Sequence, residues 1–286
     1  MAQNSKIEWT HHTANLWHGC TKVHTGCDNC YAEALAKRWG NDIWGNDKPR
    51  KEIKSAQNDL LKYQKLAKES NEIHRVFVGS MMDIFEKPMP VIDSKGNTIT
   101  DCHCDICGGE FTTEHLRQWF FESIVPNSPN LMFLLLTKRP SNINKYIPES
   151  WKENPPQNVM FGTSPVNQET AEKLIPQLLN VNGKRFLSIE PQLGEIKISD
   201  WLYPKEFIGM EVTNAEETES STLKNGIDWV IQGGESGHHK RPFNLDWVYS
   251  MKQQCKDAGV PYFFKQIDKI KPIPEDLMIR EFPEYN

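Results

Sequence analysis

The chain lacks a membrane-spanning hydrophobic run, a strong excess of either charge and any internal repeat. A spanning helix needs about 20 consecutive apolar residues, and runs such as Leu131–Leu136 fall far short, so no membrane-spanning helix is expected. The first ten residues (MAQNSKIEWT) carry no long apolar region, and the expected location is cytoplasmic. With 33 Lys and Arg against 38 Asp and Glu, the net charge is −5. That balance argues against broad, phosphate-driven binding of nucleic acid, although a local basic groove stays compatible with it. No His-Glu-x2-His run is present, which weakens a zinc-hydrolase reading. The seven cysteines are odd in number, and six fall in two tight groups, at 20, 27 and 30 and at 102, 104 and 107. A disulfide framework is therefore disfavoured, and metal ligation by reduced thiols is favoured.

What is present reads as one globular α/β domain. Charged residues are 25% and hydrophobic residues 38% of 286 positions, as in ordinary folded enzymes and binding modules. Six short apolar, β-branched or aromatic runs recur: 75–80, 131–138, 159–164, 185–190, 228–234 and 261–266. Near-continuous apolar runs are characteristic of strands covered on both faces, so a parallel sheet is expected. A first strand at 6–10 is a further candidate. The stretches 29–39, 113–124, 167–179 and 245–258 carry helix signals, with Asn244 as N-cap and Gly259 as C-cap of the last. This alternation predicts a full or partial (β/α) TIM-like barrel with its site at the C-terminal rim. Two insertions are expected on that frame, a cysteine-rich one at about 86–112 and a polar one at about 198–226.

The segment Gly19-Cys20-Thr-Lys-Val-His-Thr-Gly26-Cys27-Asp-Asn-Cys30 places three thiols within eleven residues, with glycines before the first two. Thiolates are soft ligands suited to iron–sulfur clusters, zinc or copper(I), and glycine lets a backbone wrap closely around a bulky core. Three thiolates on a four-iron cluster would leave one iron free for a substrate or cofactor. A structural zinc knuckle completed by His18 or His24 is the competing assignment. Placement just after a first barrel strand favours a cofactor site.

Other strand ends add candidates. Ser80 and Glu190 could contact a cofactor; Glu190 could equally form a salt bridge with Lys138 or Lys265. Lys138, Arg139, Lys265 and Gln266 are candidate substrate contacts, the cations suited to a carboxylate or phosphate. In the second group, Cys102, Cys104 and Cys107 with His103 or His115 could assemble a zinc site. Cys255 sits in a helix pattern as a buried apolar residue.

The run from Lys6 to Glu33, including Trp9, Gly19-Cys20, Gly26-Cys27 and Cys30-Tyr31-Ala32-Glu33, resembles a phage-associated bacterial family named for its three-cysteine motif. The resemblance continues through 76–85, 134–140, 162–164, 188–194, 229–237 and 259–266. That family is similar to radical S-adenosylmethionine enzymes in barrel architecture and early cysteine triplet. The resemblance implies a 4Fe-4S cluster on Cys20, Cys27 and Cys30, with S-adenosylmethionine chelated by its open iron. Reductive cleavage of the cofactor and hydrogen abstraction from substrate would follow. It further implies an electron donor for the cluster and, by association, a nucleotide or nucleic-acid substrate; a partner protein is also an option. Gly233-Gly234-Glu235 resembles the segment that holds the methionine moiety in those enzymes, but lies at a late strand. The usual triplet is Cys-x3-Cys-x2-Cys with an aromatic residue before the last cysteine; here the first spacing is six, and Asn29 occupies that position. The alternative function is a non-catalytic, metal-stabilised protein that binds nucleic acid or a partner.

Overall fold

The structure, a computed structural model, describes residues 2–100, 110–202, 226–236 and 239–285. Its centre is a sheet built from β1 (Ala2–Gln3), β2 (His12–Ala14), β5 (His74–Val78), β7 (Leu131–Thr137), β8 (Val159–Thr163), β9 (Lys184–Ile189), β10 (Trp229–Gly233) and β11 (Tyr262–Gln266), in that order. Seven of these strands, β2 to β11, run parallel, and only β1 is antiparallel, on the edge. Strand order follows chain order, as the alternation of strand and helix requires when each right-handed crossover returns beside its predecessor. A second sheet joins β3 (Trp17–His18), β4 (Arg50–Glu52) and β6 (Val91–Ile92).

The large sheet is curled into a half-barrel, and its two cores show why. Outward residues, among them Val76, Phe133, Phe161, Leu187 and Val230, join the large cluster beneath the helices. The alternate residues Phe77, Met132, Leu134, Met160, Phe186, Trp229, Ile231 and Phe263 form a separate inner cluster with Trp9. Trp9 reaches Phe77 on β5 at 4.7 Å, Phe186 on β9 at 6.5 Å and Trp229 on β10 at 6.3 Å between ring centroids. In a flat sheet β5 and β9 would lie three strand spacings apart, about 14 Å. One indole touches both because the sheet wraps around it. Gly162 makes room inside, where a Cβ would meet the Phe186 ring at 2.4 Å.

The helices include α1 (Tyr31–Arg38), α2 (Ala56–Ser70), α3 (Thr113–Trp119), α4 (Ile143–Tyr146), α5 (Glu149–Glu153), α6 (Gln168–Leu179), α7 (Ser199–Leu202) and α8 (Asp246–Ala258). Gly259 ends α8 at φ +64°, as its residue type predicts, whereas the N-cap is Leu245, one residue past the expected Asn244, whose side chain accepts from the Asp246 amide. The expected strand at 6–10 is corrected. These residues form turns, with Thr10 N–H donating to Ile7 O, and the first parallel strand begins at His12. The apolar Ile7 and Trp9 that suggested a strand instead pack into the inner core. Helix α2 was not foreseen; its buried Leu60, Tyr63 and Ala67 sit at helical spacing within a run of Lys, Gln and Asn. The described part of the 86–112 excursion supplies β6, whereas Cys102, Cys104 and Cys107 lie outside the described residues, as does most of 198–226.

At the N-terminal end of the sheet, His12 stacks on Tyr63 at 4.1 Å and its Nε2 lies 3.1 Å from His74 Nδ1. His11 stacks on His74 at 4.8 Å, and its Nδ1 accepts from the Arg75 amide. Burial, with Arg75 and the neighbouring histidines, pulls His11 to about 4; burial and His74 pull His12 to about 4. The unfolded chain, with ordinary values near 6.5, binds these protons first, so stability is full above about pH 6.5 and falls as pH drops toward 4. Urea midpoints at pH 7, 5.5 and 4.5 should therefore decline, and His12→Leu should flatten part of that slope. An unchanged slope in the variant would refute the assignment.

Candidate functional site

Alternation along the strands decides what stands at the mouth. Continuing the inward positions past the apolar layers gives Lys138 after Leu136, Ser164 after Gly162, Glu190 after Ser188, and Lys265 after Phe263. These four line a cavity of about 310 Å³ at the C-terminal ends of the strands, the size and place expected of a small-molecule site. The loop of Cys20 to Tyr31 forms its opposite wall.

All three early cysteines, Cys20, Cys27 and Cys30, line this cavity, and none is in a disulfide. Two glycines allow the approach. At Gly19 (φ +119°) a Cβ would meet Ile43 O at 2.5 Å and Arg50 Cδ at 2.7 Å; at Gly26 it would meet Val166 Cγ1 at 2.7 Å. Among the described residues no three His, Cys, Asp or Glu side chains gather as a set that could hold a metal ion. The thiols thus share a wall and are not drawn to one point. Of the proposed fourth zinc ligands, His18 stacks on Trp39, and His24 accepts from the Gly26 amide through Nδ1 while its Nε2 has no partner. Burial first, then Asp83 and Glu86, pushes the Cys20 thiol up to about 12 against the opposing pull of Arg139. Its sulfur therefore stays protonated at neutral pH unless a cation takes the proton's place.

The charges are mostly paired. Arg139 donates to Asp83 Oδ2 (2.6 Å) and Thr21 O (2.6 Å), with Nη1 3.9 Å from Cys20 Sγ. Burial opposes its charge, but the carboxylates of Asp83 and Glu86 outweigh burial and hold the guanidinium ionised. Lys265 pairs with Glu190 Oε1 at 2.8 Å, the salt bridge anticipated as one of two options for that carboxylate. The Trp9 indole N–H donates to Glu190 Oε2 at 3.3 Å. Glu235 accepts from Arg241 (2.7 Å) and Asn29 (3.1 Å), while Arg241 also donates to Thr25 O (3.1 Å). Burial would raise the Glu235 carboxyl, yet these hydrogen bonds pull it below its ordinary value. This contact ties the end of β10 to the cysteine loop.

The residues expected at the site thus come together, but several have other partners. Ser80 accepts from Asn15 through its hydroxyl and from Tyr31 through its carbonyl. Gln266 donates to Gly234 O at 3.0 Å, binding β11 to β10. Gly233 sits behind the wall, where a Cβ would strike Glu190 Oε1 at 2.8 Å; Gly234 lines the wall itself. His115 serves in the capping box of α3 with Thr112, outside the cavity. Arg241 and the buried pair of Arg50 with Glu86 were missed, because no motif marks them. Glu86 lies 36 residues from Arg50, and Arg241 reaches Thr25 O across 216. A family model described as "Protein of unknown function (DUF5131)" matches residues 4–106 and 93–276. No curated protein and no solved structure matches the chain.

Proposed function

The chain belongs to the DUF5131 family, and from the cavity it carries we propose a radical S-adenosylmethionine-like iron–sulfur enzyme, built on an incomplete TIM-type barrel and akin to phage-associated three-cysteine proteins. The observation that supports this reading is that Cys20, Cys27 and Cys30, free and separate in space, line one cavity at the C-terminal mouth of the sheet. Thiolates are the donors that iron–sulfur cores take, and this wall carries three of them. Bound there, a 4Fe-4S cluster with S-adenosylmethionine on its open iron would supply the electron and the hydrogen-abstracting radical.

The chain's own residues would do the rest. Arg139, locked on Asp83 and Thr21, holds positive charge beside the Cys20 sulfur and favours its ionised, metal-bound form. Glu235 and Arg241 hold the cysteine loop in place. Trp9, Phe77 and Met82 line the cavity and limit water around the reacting groups. Glu190 and Lys265 offer a paired acceptor and donor for a ribose hydroxyl or an amino group of a nucleotide-like substrate.

Anaerobic purification tests this directly. A brown protein with about four irons per chain is expected, with iron lost in Cys20→Ala/Cys27→Ala/Cys30→Ala and kept in Cys255→Ala, whose thiol is buried in α8. Reduction with S-adenosylmethionine should then release 5′-deoxyadenosine. Colourless, iron-free protein under these conditions would overturn the proposal and favour a non-catalytic binding protein.

A further inference from the structure

The hydrogen-bonding groups of the cavity are unequally engaged. Asp83, Glu190 and Glu235 each hold a cationic partner, and Arg139 and Lys265 are two of those partners. Lys138 is different. Its amide donates to Asp83, but its ammonium has no partner among the described residues. Beside it stands Ser164. The register pairs Thr137 of β7 with Thr163 of β8, so the next residues outward, both on the inner face, are Lys138 and Ser164. Ser164 is 1% exposed, lines the cavity, and its hydroxyl has no hydrogen-bond partner.

A third unsatisfied group lies close by, behind the cavity-lining Gly26. His24 Nδ1 accepts from Gly26, which leaves the proton of the neutral ring on Nε2. That nitrogen is buried and unpartnered. Lys138 is the largest charge acting on the ring. Gly26 places His24 against Val166, two residues beyond Ser164.

Buried donors are seldom left without acceptors, and here the neighbouring carboxylates are already paired. An ammonium next to a buried hydroxyl selects a negatively charged oxygen over a neutral one. We propose that Lys138 and Ser164, with His24 beside them, form an oxyanion subsite that takes a phosphate or carboxylate group of the small molecule bound in the cavity. The subsite shares the cavity of the proposed cluster but does not require it.

Calorimetric titration of the protein as isolated, with pyrophosphate in one arm and malonate in the other, tests the subsite and separates the two sources of the anion. At least one should bind at millimolar concentration, and the stronger identifies the group. Lys138→Ala should weaken binding roughly tenfold or more and Ser164→Ala severalfold, as for loss of charge-assisted hydrogen bonds. Lys65→Ala, on an exposed face of α2, should bind as wild type. Circular dichroism establishes that each variant is folded. Failure of both anions to bind wild type, or equal binding by wild type and the Lys138 and Ser164 variants, overturns the subsite. Iron is assayed on the same samples: anion binding lost with iron present counts against the subsite alone, and iron absent with anion binding intact counts against the cluster alone.

Discussion

Arg50→Ala will destabilise the protein by about 3–5 kcal/mol, the range for breaking one side of a buried ion pair. Arg50 is 0% exposed and Glu86 2%. The guanidinium meets the carboxylate with two parallel bonds, Nε to Oε1 at 2.7 Å and Nη2 to Oε2 at 2.8 Å. Its remaining donors reach Ile43 O, Lys48 O, Gly45 O and Thr21 Oγ1. Removing it leaves a carboxylate in the interior whose remaining ion pair among the described residues is the longer one to Arg139, at 3.8 Å. It also leaves several carbonyl oxygens without a donor, which adds to the cost. Lysine cannot repair the site, because a single ammonium cannot reproduce the planar fork. The melting temperature should fall on the order of 10 °C in a protein of this size. Glu86→Leu/Arg50→Met should be milder than either single change, since no charge is then stranded. A double variant as damaged as the sum of the singles would show that packing, not charge, controls this region. The consequence for the site is direct: Arg50 packs against Gly19, the residue before Cys20, and its loss frees the first cysteine to move.

How much of this could be read from the chain depends on how local each signal was. The six parallel strands from β5 to β11 were legible because each is a continuous apolar run that ends in polar residues. The mouth was legible only as a set of polar strand ends; that Lys138, Ser164, Glu190 and Lys265 are the inward ones follows from the period of two once the register is fixed. The cysteine loop was legible from three thiols at close spacing, and its glycines from their neighbours. What stayed hidden was which side chains pair. Glu235 looked like a cofactor contact because its Gly-Gly-Glu setting resembles one; that its carboxylate is held by Arg241 and Asn29 is a property of the folded chain. Arg139 looked like a free rim cation, and the structure places it between Asp83 and Thr21 O. The first strand was misplaced because Ile7 and Trp9 are apolar for a different reason: they fill the barrel interior from a turn. In each case the residue type correctly indicated burial or charge, but only the fold decides the partner.

Gly234→Ala tests how rigidly the mouth is built. A Cβ at that position would lie 1.9 Å from Ile267 O and 3.0 Å from Phe243 Cγ, and a backbone oxygen within a strand end cannot step aside cheaply. The chain must instead separate β10 from β11, at the expense of Gly234 N–H to Gln266 O (2.9 Å) and Gln266 Nε2 to Gly234 O. Overpacking of this kind costs about 3 kcal/mol or more when relief requires backbone movement. Glu235 follows directly, so its displacement should pull Arg241 off Thr25 O and loosen the cysteine loop. Limited trypsin digestion should then cut at Lys22 sooner than in wild type. Gly233→Ala provides the comparison, because its Cβ meets at 2.8 Å only Glu190 Oε1, the movable tip of a side chain. That variant should keep nearly wild-type stability while Glu190 turns from Lys265, which alters ligand affinity without exposing Lys22. Equal stability losses in the two variants would show that the close approach at Gly234 is absorbed elsewhere, and the link from strand end to cysteine loop would have to be abandoned.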